Sequence, residues 1–75
     1  MIYCDIQPFD LEQKIYSNNI LVASATLPNL AEAIIKIPNE DNLVYLAGFE
    51  ELVQGIAAQI KNINNDITVR MVQNV

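Results

Sequence analysis

The chain contains no histidine, no tryptophan and a single cysteine, Cys4. One cysteine cannot form an intramolecular disulfide, and Ser/His and Cys/His catalysis both require a histidine that is absent. A structural zinc site of the Cys/His type is excluded for the same reason. We therefore expect Cys4 to be a small buried hydrophobe, and we expect a chain of 75 residues without cross-links to have a narrow stability margin.

Basic residues are also scarce, since four Lys and Arg stand against nine Asp and Glu, a formal charge of −5. Affinity for a nucleic-acid backbone depends on cations that neutralise phosphates, so direct nucleic-acid binding is disfavoured. One alternative is that the acidity makes the chain a decoy for a nucleic-acid-binding protein. The single cysteine and the absence of a signal-peptide pattern predict a cytoplasmic protein, and no apolar run is long enough to cross a membrane.

Alternating apolar and polar residues predict three strands, over residues 1–7, 11–16 and 20–25. In the second of these strands, Leu11 and Ile15 are expected on the inner face. Residues 8–10 form the first turn, and residues 17–19 form a tight hairpin turn because Asn tolerates positive φ. Three strands joined by short turns predict an antiparallel meander.

The rest of the chain predicts two helices, each followed by a strand. Thr26 is a helix N-cap, Pro28 lies in the first turn and Pro38 ends that helix. The apolar run 43–47 predicts a parallel, central strand that is buried on both faces. A second helix over residues 49–62 precedes a last strand over residues 67–73. Its apolar stripe consists of Phe49, Leu52, Val53, Ile56, Ala57, Ile60 and Ile63.

The order is therefore β-β-β-α-β-α-β, an α/β fold in a single domain spanning residues 1–75. Right-handed crossovers should place the two later strands parallel to the first, which gives a mixed five-stranded sheet with two helices. Gly55 lies within the second helix, where it is expected to permit close packing on the sheet or on a second subunit.

This order of elements resembles the ribonuclease H-like fold, which is shared with the actin-like ATPase superfamily. At the level of sequence, residues 45–56 are similar to the fourth strand and following helix of ribonuclease H, most sharply in Val53–Ile56. The same segment resembles the adenosine-side motif of actin-like ATPases. Those ATPases hold phosphate with Gly-rich loops, whereas this chain has two glycines in all and none in residues 7–10.

The resemblance to ribonuclease H implies carboxylates that gather two divalent metals, Mg²⁺ or Mn²⁺. Asp5 matches the carboxylate of the first strand. Asn29 stands at the position of the second carboxylate, with Glu32 nearby on a different helical face. Gly48 stands at the position of the third.

Two further carboxylates, Glu50 and Glu51, follow Gly48 at the start of the second helix. With Asp5 they are the candidate metal ligands, although an alternative role for both is to complement the helix dipole. Asp5 is the one candidate catalytic residue, expected at the carboxyl end of the first strand beside Gly48.

The leading hypothesis is a non-catalytic interaction or oligomerisation module, because most of the implied carboxylates are missing. The apolar share of 52% in so short a chain indicates apolar surface for a partner, and the expected partner is a second copy, as a homodimer, or another protein. The rival hypothesis is a metal-dependent nuclease-like or nucleotide-binding protein that uses Asp5.

Overall fold

The computed structural model describes residues 1–72 and confirms the α/β class and the predicted order of elements. The elements are β1 (Ile2–Ile6), β2 (Gln13–Ser17), β3 (Ile20–Ala25), α1 (Leu27–Lys36), β4 (Leu43–Gly48), α2 (Glu50–Ile63) and β5 (Thr68–Met71). The strands form one five-stranded sheet in the order β3-β2-β1-β4-β5. The part of the last predicted strand that reaches residue 73 lies outside the described residues.

Strand directions follow from how the strands are connected. β1, β2 and β3 pair antiparallel because short turns join them, whereas β4 pairs parallel with both β1 and β5 because a helix precedes each new strand. The turn between β2 and β3 consists of Asn18 and Asn19, with φ values of 49° and 70°. Positive φ at both positions is the geometry of a two-residue hairpin, and it confirms the predicted turn.

The second strand begins later than predicted, and the expectation that Leu11 faces the core is wrong. Leu11 is 92% exposed, while Gln13, the first residue of β2, is 1% exposed. The Gln13 amide closes the preceding loop: its Nε2 donates to the Gln7 carbonyl at 2.8 Å, and its Oε1 accepts from the Gln7 amide at 3.0 Å. Because both ends of its amide are hydrogen-bonded, Gln13 is stable in the interior, where the alternation predicted Leu11.

Both helices pack on the same face of the sheet, because their buried residues form one core with one face of the strands. The helical members of this core are Leu30, Ala31, Ile34, Val53, Ile56 and Ile60, and the principal strand members are Ile2, Cys4, Ile6, Ile15, Val44 and Leu46. No residue of the opposite sheet face belongs to this core. Within residues 1–72, that opposite face carries no helix, and we call it the open face.

The fourth strand is an interior strand that pairs parallel on both sides, as predicted. Its burial on both faces is only partial, because on the open face Ala47 is buried whereas Leu43 and Tyr45 are half-buried. The stripe of α2 is also shorter than predicted, because Phe49 and Ile63 at its two ends are about half exposed. Thr26 does occupy the N-cap of α1, but its side chain makes no capping bond to the helix backbone.

The two glycines of the chain occupy opposite environments. Gly48 has φ +113°, and a Cβ placed there would lie 2.1 Å from the Ile6 carbonyl oxygen. A Cβ at Gly55 would meet no atom within 4 Å, so the expectation that Gly55 lets α2 approach the sheet is wrong, and the alternative of close packing on a second subunit stays a prediction. Gly48 is therefore required by the backbone, whereas Gly55 weakens an exposed stretch of helix.

Replacing each glycine with alanine should change stability in opposite directions. We expect Gly48→Ala to lower the free energy of unfolding by about 2–4 kcal/mol, because it combines strained φ with a clash against backbone. Gly55→Ala should raise it by about 0.5–1 kcal/mol, the difference in helix propensity. Urea unfolding followed by circular dichroism measures both, and a neutral Gly48→Ala would contradict the backbone described here.

Candidate functional site

Asp5 and Gly48 lie side by side where β1 and β4 end, as predicted. In the parallel register Asp5 pairs with Ala47, and Ile6 pairs with Gly48. The Asp5 carboxylate points across this junction, since its Oδ1 lies 2.7 Å from the position a Cβ would take on Gly48. The carboxyl ends of neighbouring parallel strands are where open α/β sheets bind ligands, which makes this junction the first place to look for chemistry.

The junction has no room for a carboxylate at position 48, where the resemblance to ribonuclease H implies one. A side chain there would collide with the Ile6 carbonyl oxygen, which already accepts a hydrogen bond of 2.8 Å from the Phe49 amide. That bond leads the chain from β4 into α2. The backbone at position 48 therefore excludes a carboxylate, because no side chain of any kind fits there.

Asn29, which stands at the position of the second carboxylate, and the predicted ligand Glu50 bond to other side chains, and the predicted ligand Glu51 is exposed. Asn29 belongs to the first turn of α1, where its Nδ2 donates to Thr26 Oγ1 at 3.1 Å. Glu50 and Glu51 are exposed in the first turn of α2, and the Glu50 carboxylate accepts a bond of 3.2 Å from Gln54 one turn later. These positions suit anions that complement the helix dipole.

Among the described residues, Asp5 has one hydrogen-bond partner, the Gln7 side chain, whose Nε2 donates to Oδ1 at 2.9 Å. Across residues 1–72, no group of three or more Cys, Asp or Glu side chains is arranged to hold a metal ion. Asp5, Glu50 and Glu51 therefore do not form such a group. A site that uses Asp5 with fewer protein ligands stays a prediction.

We expect Mg²⁺ and Mn²⁺ to leave the melting temperature unchanged, because the carboxylates are dispersed. An ion bound at about 100 times its dissociation constant would add roughly 2.7 kcal/mol. In a domain of this size such a gain raises the midpoint by about 10 °C or more. Thermal melting with and without each ion measures it, with Asp5→Asn as the control. A rise in the parent protein that Asp5→Asn abolishes would restore the metal hypothesis.

Cys4 is fully buried on the helical face of β1, as the sequence predicts. Burial, together with the neighbouring negative charge of Asp5, raises the pKa of the Cys4 thiol to about 12. Burial and the Asp5 charge also raise the pKa of Tyr3 above its usual value of 10.0. A thiol that stays protonated at neutral pH is neither a nucleophile nor a metal ligand.

The thiol of the folded protein should resist a thiol-specific disulfide reagent at pH 8. With a pKa of about 12, roughly one thiol in ten thousand is ionised at that pH, and the side chain is inaccessible as well. In urea the thiol should react at the rate of a free cysteine, whose pKa is about 8.5. Reagent absorbance gives both rates, and equal rates in the two conditions would contradict the buried placement.

The open face carries a row of aromatic side chains that no local sequence pattern predicts. One residue from each strand lines up across the sheet in the order Leu21, Tyr16, Tyr3, Tyr45 and Arg70. All three tyrosines of the chain belong to this row. We call these five residues the tyrosine row. The alternation of each strand hints at its members, but their alignment depends on register between strands that are distant in sequence.

The outer edge of β3 is a second exposed feature. In the described part of the chain, β3 has a neighbouring strand on one side only. Its first three residues are exposed apolar side chains: Ile20 is 66%, Leu21 is 51% and Val22 is 47% exposed. The strand is uncharged and contains no proline, so it lacks two of the devices that usually protect a sheet edge from pairing, but its register with β2 shifts between Leu21 and Ala23, and such a bulge is a third device.

The comparisons with known proteins return no relative. No family model matches the chain, and neither a curated protein nor a solved structure does so. Among the helices of residues 1–72, none combines the length and the apolar character that crossing a membrane requires.

Proposed function

We propose that this chain is a small interaction module that forms a homodimer through antiparallel pairing of β3 with β3 of a second copy. The observation that supports the proposal is the apolar edge of β3, where Ile20, Leu21 and Val22 are exposed and no charged residue or proline interrupts the strand. Unpaired N–H and C=O groups on an edge strand are a template for another strand. Pairing across a two-fold axis would join the two sheets into one continuous sheet.

The distribution of charge favours a second copy as the occupant of this edge. The chain carries a net charge of −5, so two copies repel each other over most of their surface. From Ile15 through Ala31 there is no Asp, Glu, Lys or Arg, and this uncharged stretch contains the whole of β3. The Glu12 carboxylate reaches β3 at Ser24, from which it accepts a hydrogen bond of 2.8 Å. Two copies would therefore meet with little repulsion along Ile20, Leu21 and Val22.

Symmetry supports the same conclusion. A two-fold interface requires a surface that complements itself, and an antiparallel strand pair meets that requirement with any uncharged sequence. The opposite edge of the sheet is less suited, because β5 has four residues and one of them is the exposed Arg70. Like charges placed opposite each other in a strand pair are destabilising.

The proposal includes a ribonuclease H-like sheet without ribonuclease H chemistry. The order of elements and the mixture of parallel and antiparallel strands support the first part. The backbone at Gly48, which excludes a side chain, and the bonding of Asn29 within α1 support the second. The hypothesis of an acidic decoy stays a prediction, and the proposed pairing of β3 does not require it.

The dimer should be weak and should depend on β3. Light scattering after size-exclusion chromatography should give a mass that rises toward twice the monomer mass as the protein concentration increases. We expect a dissociation constant on the order of 10 μM. In Val22→Lys, one lysine from each copy enters the middle of the pairing, and we expect the protein to stay monomeric at all concentrations.

Ile63→Lys is the matched control, because it removes an apolar side chain of similar exposure, 54% against 47%, far from β3 in sequence. Ile63 ends α2, where a cation complements the helix dipole, so this variant should fold and dimerise like the parent. A parent protein that is strictly monomeric at high concentration would overturn the proposal. Equal loss of the dimer in both variants would show that β3 is not the interface.

A further inference from the structure

The loop between β1 and β2 presents two large apolar side chains to solvent. Phe9 is 84% and Leu11 is 92% exposed, the two highest values among the large apolar side chains exposed in residues 1–72. Neither side chain belongs to the core or packs against it. Because the fold does not use these two side chains, they are candidates for contact with a partner.

The loop is held in shape without help from its apolar side chains. The buried Gln13 amide donates from Nε2 to the carbonyl oxygens of Gln7 and Asp10, at 2.8 and 3.4 Å, and its Oε1 accepts from the Gln7 amide at 3.0 Å. A segment that is ordered before it binds loses little conformational entropy on binding. Phe9 and Leu11 are therefore presented on a loop that is organised in advance.

The charges around this loop are predominantly negative. The loop lies at the end of the sheet where β1 and β4 end and α2 begins. The charged side chains at this end are five carboxylates and one ammonium group, from Asp5, Asp10, Glu12, Glu50, Glu51 and Lys14. Hydrogen bonds from Gln7 to Asp5 and from Ser24 to Glu12 come from neutral groups and leave both carboxylates charged.

The remaining cations and dipoles do not reverse this sign. Lys36 and Lys61 lie in the last turns of the two helices, at the other end of the sheet, and Arg70 lies on the distant strand β5. The N-termini of α1 and α2 point toward the loop, and each is equivalent to about half a positive charge. These two partial charges reduce the excess of four negative charges without cancelling it.

The sign of this charge distinguishes among partners. An anionic membrane surface would repel the carboxylates, and a second copy would bring the same carboxylates against its own. A protein pocket that is apolar inside and carries Lys or Arg on its rim complements both features, the apolar side chains and the acidic surround.

We propose that the loop spanning residues 7–12 is a docking element that inserts Phe9 and Leu11 into an apolar pocket of a partner protein, and that basic residues on the rim of the pocket pair with Asp10 and Glu12. Phe9 and Leu11 lie outside β3, so this docking does not require the homodimer.

Cyclodextrins test the recognition chemistry, because they offer one apolar cavity with a rim of chosen charge. The labelled chain is titrated with β-cyclodextrin whose rim carries amino groups, no charge or carboxylates, and nuclear magnetic resonance reports the shifted amides. We expect the largest shifts in the loop and about tenfold tighter binding of the amino form than of the carboxylate form, a difference that salt reduces. Equal affinity for all three forms, or larger shifts elsewhere, would overturn the proposal.

Matched variants show which side chains carry the binding. The double variant Phe9→Ser, Leu11→Ser should lose it, whereas Ile63→Ser, at an exposed apolar residue that ends α2, should bind normally. Asp10→Asn should weaken the amino form by about threefold, and Asp66→Asn, an exposed carboxylate between α2 and β5, should not. Equal effects of the two members of either pair would contradict the assignment.

A library of displayed proteins extends the test to a protein partner. The library varies the concave surface of one small scaffold, and it is selected for binding to the parent chain and against binding to the Phe9→Ser, Leu11→Ser double variant. We expect the selected surfaces to have an apolar centre and a rim enriched in Lys and Arg. Rims that are acidic or show no enrichment would overturn the proposal.

Two further measurements address the other occupants. Vesicles of phosphatidylcholine, alone or with phosphatidylserine, should leave the chain in the supernatant on sedimentation, and sedimentation that the double variant abolishes would make the occupant a lipid surface. The double variant should also have the same mass as the parent at every concentration. Loss of a dimer in that variant would make the occupant a second copy, and either result would overturn the proposal.

Discussion

The handedness of two crossover connections determines which face of the sheet the helices cover. β3 runs parallel to β4, since two antiparallel pairings separate it from β1, and so both helical connections join parallel strands. Both connections also advance across the sheet in the same direction, from the β3 side to the β5 side. Right-handed crossovers that advance the same way place both helices on one face. One face of the sheet is then packed, and the other is left open.

This constraint explains why so short a chain can have both a filled core and a large share of exposed apolar side chains. The packed face uses aliphatic residues and Cys4, which burial keeps protonated. The open face carries the tyrosines, whose rings tolerate partial exposure and whose hydroxyl groups can stay hydrated. The edge of β3 carries Ile20, Leu21 and Val22 outside the core altogether. Within residues 1–72, these two surfaces both present apolar or aromatic side chains to a partner.

The junction of β1, β4 and α2 shows how a backbone can exclude the chemistry that a resemblance implies. Gly48 turns the chain with a positive φ so that the Phe49 amide can bond to the Ile6 carbonyl, and this arrangement leaves no space for a side chain. A carboxylate at position 48 would require a different exit from β4 and a different start for α2. Asp5 keeps its predicted position beside this junction, but its neighbours are an amide and a glycine rather than other acids.

Local patterns were sufficient to predict the number, type and order of the elements. Period-two alternation, the Asn-Asn turn and the proline boundaries of α1 are properties of adjacent residues, and the structure confirms them. The errors arose where a distant partner overrides the local pattern. Gln13 rather than Leu11 is buried because its amide bonds to Gln7 across the intervening loop, and Leu43 and Tyr45 of β4 are only half-buried because both helices lie on the other side of the sheet.

The candidate surfaces, like the fold, could be predicted from the sequence only in part. The sequence alone shows that Ile15 through Ala31 carry no charge and that basic residues are few, and it predicts that Asp5 lies near the end of the first strand. The sequence does not reveal that β3 is an edge, that three tyrosines share one row, or that Gly48 faces a carbonyl oxygen. Those facts depend on strand order, register and backbone geometry, which arise from contacts between residues far apart in the chain. Composition and local periodicity thus determined the secondary-structure elements of this protein and their order, and only the tertiary structure decided which of its surfaces remain exposed.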